Sequence, residues 1–211
     1  QAGGITVAFY YGRKHQAVME AAGAADAVRA VISYCTQHYG FPSAFGATGT
    51  LKLIQSRVSG GGYATAGASL LDEADFTSAN LGNTGKGAVP GEVFIHELVH
   101  QWWGLGNMFD VADETSPWSS EGLTVYTTYR IVKELYGEDY AQKHYVGQWQ
   151  QEVDDYFLNF YVRRPEYLEK LPDAERLNIA GSLSGVRHYS EMPLKILKAE
   201  QLVGGEEAMD Q

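Results

Sequence analysis

His96 and His100 stand four residues apart, with Glu97 between them in the run His96-Glu97-Leu98-Val99-His100. Residues at that spacing share one face of an α-helix, so both imidazoles can aim at a single ion. A glutamate about 100° round from the first histidine can reach a water without ligating the metal. The chemistry this suits is hydrolysis, in which a cation activates water and a carboxylate takes its proton. Chance is a weak rival: the chain has six histidines, and a random match to this pattern is expected on the order of 0.01 times. A catalytic zinc ordinarily takes three protein ligands and keeps one position open. Downstream, Asp110, Asp113, Glu114 and Glu121 are candidates for the third. Glu121 is favoured, because Trp118-Ser119-Ser120-Glu121-Gly122 opens a helix able to pack against the first. Asp113 and Glu114 read as solvated loop charges. A general base beside an open metal position speaks for an enzyme over a zinc-stabilised binding module.

The elements that must hold these residues follow from the pattern of the chain. Ile5 to Tyr11 is an apolar, β-branched and aromatic run that predicts a strand. Val18, Ala21, Ala22, Ala25, Val28, Val31, Ile32 and Cys35 recur at three- and four-residue steps and predict one long helix, stopped by Gly40-Phe41-Pro42. Leu51 to Val58 and Tyr63 to Leu71 predict two further strands, separated by Gly60-Gly61-Gly62. Residues 74–90 read as a loop. Pro90 and Glu92 suit the start of the helix that carries the histidines, and Gly104 and Gly106 suit its end. Ser119 and Ser120 are N-cap candidates for a helix over 121–136. Helical pattern continues over 138–162, is broken by Pro165 and Pro172, and resumes near Ser190 for a last helix to Gly204. The outline is α+β: residues 1–89 are β-rich with one long helix, and 90–211 are helical and carry the metal site, together a single catalytic domain.

Composition narrows the classes of function. The chain has 211 residues, 45% apolar and 20% charged, enough to bury one core. Its formal charge of −10 repels phosphate backbones, so no nucleic-acid partner is expected. No apolar run reaches the ~18–20 residues that cross a bilayer. Cys35 is the single cysteine, which excludes an internal disulfide and predicts a small apolar residue on a buried helix face. Trp149, Tyr156 and Tyr161 read as helix core, and His15, His38 and His144, with no motif around them, as surface residues.

The segment His96 to Gly104, reading His-Glu-Leu-Val-His-Gln-Trp-Trp-Gly, followed by Trp118-Ser119-Ser120-Glu121-Gly122-Leu123, resembles the zinc signature of the alanyl-aminopeptidase family of gluzincin peptidases. The resemblance is specific over 90–126 and looser over about 13–204. It implies a thermolysin-like catalytic domain in which His96, His100 and Glu121 bind Zn2+ and Glu97 is the general base, acting on a peptide substrate. Twenty residues lie between His100 and Glu121, two more than is usual in the family, and Ser120 replaces its usual asparagine. Neither departure touches a ligand. The resemblance also implies a tyrosine before a late helix that donates its hydroxyl to the tetrahedral intermediate, and Tyr189 in His188-Tyr189-Ser190-Glu191 holds that place. Arg187 and His188 beside it read as solvated charges.

One part of the family pattern is altered. Its Gly-x-Met-Glu-Asn segment supplies a glutamate for the substrate's free amine, and the corresponding stretch here is Gly61-Gly62-Tyr63-Ala64-Thr65-Ala66-Gly67. Gly61, Gly62, Tyr63 and Ala64 are therefore the candidate substrate-binding residues, as an edge strand pairing with substrate backbone. Ala64 stands where the glutamate belongs, with Glu20 and Glu73 as possible replacements in space. An endopeptidase, or a hydrolase of another amide or epoxide substrate, becomes an alternative to an aminopeptidase. The family's flanking domains, absent from 1–211, imply a longer parent protein, extracytoplasmic or membrane-anchored by analogy.

Overall fold

The computed structural model describes residues 4–21, 23–42, 49–57, 61–72, 92–105 and 118–211. The loop expected over 74–90 lies outside these residues, as do Pro90, Gly106, Glu73, Asp110, Asp113 and Glu114. Four strands, β1 (Thr6–Tyr10), β2 (Thr50–Ser56), β3 (Gly62–Thr65) and β4 (Ala68–Asp72), form one sheet in the order β1-β2-β4-β3. β1, β2 and β4 run parallel, and β3 lies antiparallel to β4 at the edge. A parallel pair needs a crossover, and α1 (Gln16–Ala21) and α2 (Ala24–Tyr39) supply it between β1 and β2. Val28, Val31, Ile32 and Cys35 of α2, with Leu51, Leu53 and Leu71 of the sheet, are buried in a shared core.

Two elements depart from the sequence pattern for the same reason. The single long helix expected from Val18 onward is two helices, because Gly23 takes φ +66°, a conformation that ends a helix turn. The run from Tyr63 to Leu71 is a hairpin, because Gly67 at φ +74° reverses the chain and sets Gly62 opposite Leu71 and Thr65 opposite Ala68.

The remaining described residues are mainly helical. The elements are α3 (Glu92–Val99), α4 (Leu123–Tyr136), α5 (Glu138–Ala141), α6 (Gly147–Leu158), α7 (Phe160–Arg163), α8 (Pro165–Leu168), α9 (Asp173–Val186), α10 (Met192–Val203) and α11 (Glu206–Met209). Three wide, π-type turns lead into α4, α6 and α10: Trp118–Gly122, Gln142–Val146 and Arg187–Glu191. The first corrects the expected cap: Ser120 sits inside the turn, which runs straight into α4, and Gly122 begins that helix with no side-chain cap. The break at Pro172 is short: residues 169–172 turn the chain, and α9 begins directly after the proline, where a residue lacking an N–H costs nothing, well before Ser190. No described helix is long and apolar enough to cross a membrane.

His15 is buried and His38 half-buried, its Nδ1 2.7 Å from Asp210 Oδ2, so neither is the surface residue expected. His144 is half-buried against the ring of Tyr140. Cys35 and Trp149 are buried as expected, while Tyr156 and Tyr161 are only half-buried. The fold is thus α+β, with a small N-terminal sheet under a helical majority.

Candidate metal centre

Helix α3 lies between α2 on one side, β3 and β4 on another, and α4 on a third. Ile95, Leu98 and Val99 are fully buried in those contacts, which leaves the face bearing His96 and His100 turned to the cleft. After Val99 the backbone tightens to three-residue hydrogen bonds, Gln101 N–H to Leu98 O (3.0 Å) and Trp102 N–H to Val99 O (2.9 Å). The α-helix therefore ends earlier than Gly104, which then turns the chain away at φ +93°. A side chain at Gly104 would strike the Ser120 hydroxyl at 2.8 Å and crowd the His100 ring at 3.4 Å. The glycine lets the turn carrying Glu121 approach the histidines.

The three residues after His100 each tie this helix to a different element. Gln101, fully buried, accepts from Gly67 N–H (2.9 Å) and donates to Thr65 O (2.9 Å), clamping the β3–β4 turn. Trp102, also fully buried, donates its indole N–H to Gly40 O at the end of α2 (2.9 Å). Trp103 donates to the Thr127 hydroxyl of α4 (2.9 Å). The Ser69 hydroxyl of β4 adds a bond to Glu97 O (2.9 Å). Side chains, caps and strands thus fix the helix in three directions at once, which is what a preorganised site requires.

The ligand atoms of His96, His100 and Glu121 lie within 4.8 Å of one another. Glu121 Oε2 is 3.2 Å from His96 Nε2 and 3.4 Å from His100 Nε2. Ligands about 2.0–2.1 Å from one tetrahedral ion stand about 3.3 Å apart, so these separations suit zinc. Glu121 Oε2 is buried without a satisfying hydrogen bond of its own, as expected for an atom whose partner is a cation. The Nδ1 N–H of His100 donates to Trp103 O (3.1 Å), with the Thr124 hydroxyl at 3.2 Å, and this directs Nε2 at the ligand cluster. Burial works against charge on His100, but the Glu121 carboxylate outweighs it and raises the imidazole above its ordinary value. Burial likewise opposes the charge of Glu121, and the two histidines overcome it and hold the carboxyl well below its usual range. Such a carboxylate stays ionised and is competent as a ligand.

Glu97 is buried beside this cluster, and β3 crosses directly over it. A Cβ at Gly62 would sit 2.3 Å from Glu97 Cγ and 2.5 Å from its Oε1, so only glycine leaves the carboxylate its place. Tyr189, in the turn leading to α10, lines the same pocket, with its ring 6.2 Å from that of His96. Burial, then the negative charges of Glu121 and Glu97, push its phenol well above the ordinary value, so it remains a proton donor. Gly62, Tyr63 and Ala64 line this pocket with His96, Glu97, His100, Glu121 and Tyr189. Gly61 does not; its carbonyl is taken by Asp72 N–H (2.8 Å). Glu20, bonded from Gln16 on α1, is not among the lining residues, and among the described residues Glu97 and Glu121 are the carboxylates that are. Arg187 pairs with Glu191 and His188 faces Ser184, within a helical turn and not the loop expected. Gln101, Ser120 and Thr124 are site residues that pattern reasoning passed over. Thr124, three residues past Glu121 on the same helical path, carried a signal in its spacing; Gln101 carried none without the hairpin it holds.

No protein-family model matches the chain. It is 32% identical over 117 residues, 54% of its length, to leukotriene A-4 hydrolase of Xenopus laevis. Over 82 residues, 39% of its length, it is 32% identical to leucine aminopeptidase 2 of Emericella nidulans. The matched stretches span 18% and 13% of those proteins, so the chain corresponds to under a fifth of either. It is similar, over this part, to a hydrolase and an aminopeptidase.

Proposed function

We propose that the chain is the catalytic domain of a zinc-dependent peptidase, thermolysin-like in arrangement and part of a longer protein. The observation that carries this is the convergence of His96, His100 and Glu121 within 4.8 Å beside a buried Glu97. His96 Nε2, His100 Nε2 and Glu121 hold the zinc. Zinc bound there supplies a Lewis acid that activates water and polarises a peptide carbonyl. The Glu97 carboxylate takes the proton of the attacking water and returns it to the leaving amine. The Tyr189 hydroxyl, protonated at working pH, donates to the developing oxyanion; one such donor is worth about 3–4 kcal/mol of barrier. The outer edge of β3 offers backbone pairing to an extended substrate, and Gly62 keeps that strand close without displacing Glu97. Replacing Glu97 by Gln should leave zinc content unchanged by elemental analysis and lower turnover about 100- to 10,000-fold. Unimpaired turnover would overturn the assignment of the base.

Aminopeptidase action follows the similarity to leucine aminopeptidase 2. A second reading, cleavage of internal bonds, is favoured by Ala64, which puts no carboxylate where a free ammonium would be held. Zinc-loaded protein incubated with peptides that are half free and half acetylated at the N-terminus separates the two when products are read by mass spectrometry. Stepwise loss from free N-termini supports the aminopeptidase; cleavage of acetylated or internal bonds supports the endopeptidase. A leukotriene-type substrate added to the same assay tests small-molecule hydrolysis, which the similarity to leukotriene A-4 hydrolase brings in. No cleavage of any peptide would overturn the peptidase reading.

A further inference from the structure

On another side of His96 and Tyr189 lies a second chamber of about 210 Å³, between α4, α6 and the turns at 142–146 and 187–191. It shares His96 and Tyr189 with the pocket over the ligand cluster, and none of the β3 residues. A side chain entering it belongs to the part of a bound peptide that lies across the cleft from β3. Its wall has two characters. Val125 and the buried Trp149 give an apolar surface, while Gln148, His144 and Glu152 are polar. Among the described residues that line it Glu152 is the one carboxylate, and there is no lysine or arginine. The hydroxyl of buried Ser190 donates to Glu152 Oε2 and fixes the carboxylate at the chamber wall. A carboxylate has lone pairs beyond the one so used. Glu152 also borders the neighbouring hollow between α6 and α9, where Asp155 adds a second negative charge. A chamber with an apolar wall and a fixed carboxylate matches a side chain with a methylene stem and a cationic tip.

We propose that this chamber is a side-chain subsite for a lysine or arginine of the bound peptide, with Glu152 as the residue that sets the preference. The proposal rests on the reading of the metal cleft as a peptide-processing site. It is tested by binding, apart from turnover. Hexapeptides carrying one lysine, moved along an otherwise constant sequence, are titrated calorimetrically into zinc-loaded Glu97→Gln protein, each beside its norleucine counterpart. At one position lysine should bind about fivefold tighter than norleucine, the upper range for a partly exposed ion pair. Glu152→Gln, which still accepts from Ser190, should bring that ratio to about one. Glu152→Lys should turn the preference toward glutamate. A lysine advantage unchanged by either substitution, or none at any position, would overturn the subsite. Cleavage of the same peptides by protein with Glu97 intact reports on the peptidase reading separately, so residue-152-dependent binding without cleavage would sustain the subsite and overturn the catalytic reading alone.

Discussion

Helices α4 and α9 are both fourteen residues long, and their surroundings are opposite. Every residue of α4 from Thr124 to Val132 is buried, and several of its polar groups have partners: Thr128 bonds Thr124 O, Trp103 bonds Thr127, and Arg130 bonds Asp210. No residue of α9 is buried, and Leu177 on it is 68% exposed. The short α7 and α8 have no buried residue either. The difference separates two jobs. α4 is held on all sides because Glu121 and Thr124 must meet the histidines of α3 at fixed distances, whereas α9 packs on the turn that bears Tyr189 and on α6. Rigidity is concentrated where the ligand atoms converge.

Substitutions in the two regions should therefore differ sharply. The largest effect belongs to Trp102→Ala, which empties a fully buried indole site and frees Gly40 O. Chemical denaturation should show a loss of about 3–5 kcal/mol. Next is the pair that closes α11 over α4. Arg130, nearly fully buried, bonds Asp210 through both terminal nitrogens (2.6 and 2.9 Å). Asp210→Asn should cost about 2–3 kcal/mol by removing the nearer of that guanidinium's two counter-charges, the other being Glu206 with Oε2 3.4 Å from Nη2. Burial raises the Asp210 carboxyl, but Arg130 and His38 lower it further, so its net shift is downward. A lowered carboxyl contributes stability above its ordinary value and loses it as pH falls through the folded value. The gap between the wild-type chain and Asp210→Asn should thus be full at neutral pH and close in acid. A constant gap from neutral pH into strong acid would exclude the ionic origin.

Gln101→Ala removes both bonds to the β3–β4 turn and should cost about 2 kcal/mol. If β3 carries substrate, KM should rise more than kcat falls, since Glu97 and the ligands stay in place. The smallest effect is expected from Leu177→Ala, under about 0.5 kcal/mol. A loss there comparable with that at Trp102 would mean that α9 is packed in the working protein, and would erase the contrast with α4.

Much of the site was legible because its spacing is local. Four residues make one helical face, so His96 and His100 could be paired, and Glu121 could be put at a helix start, from the chain alone. The strands and the face of α2 bearing Val28, Val31, Ile32 and Cys35 were legible for the same reason. Illegible were the features set by one residue's backbone freedom against its neighbours' pattern: Gly23 divides the first helix and Gly67 turns one strand into two. α9 was missed because Gly181, Ser182 and Gly185 are poor helix formers. It forms nonetheless, with Ile179, Leu183 and Val186 lining the hollow against α6.

By itself the sequence determined which groups can ligate a cation and which carboxylate stands beside them. These are matters of residue type and short spacing. Tertiary structure alone decided that β3 passes close enough to Glu97 to demand glycine at 62, that Gln101 holds the hairpin in that place, and that Glu152 lines a chamber together with His96. Each depends on segments far apart in the chain being packed together. Pattern along one element carries no record of the element that will lie across it.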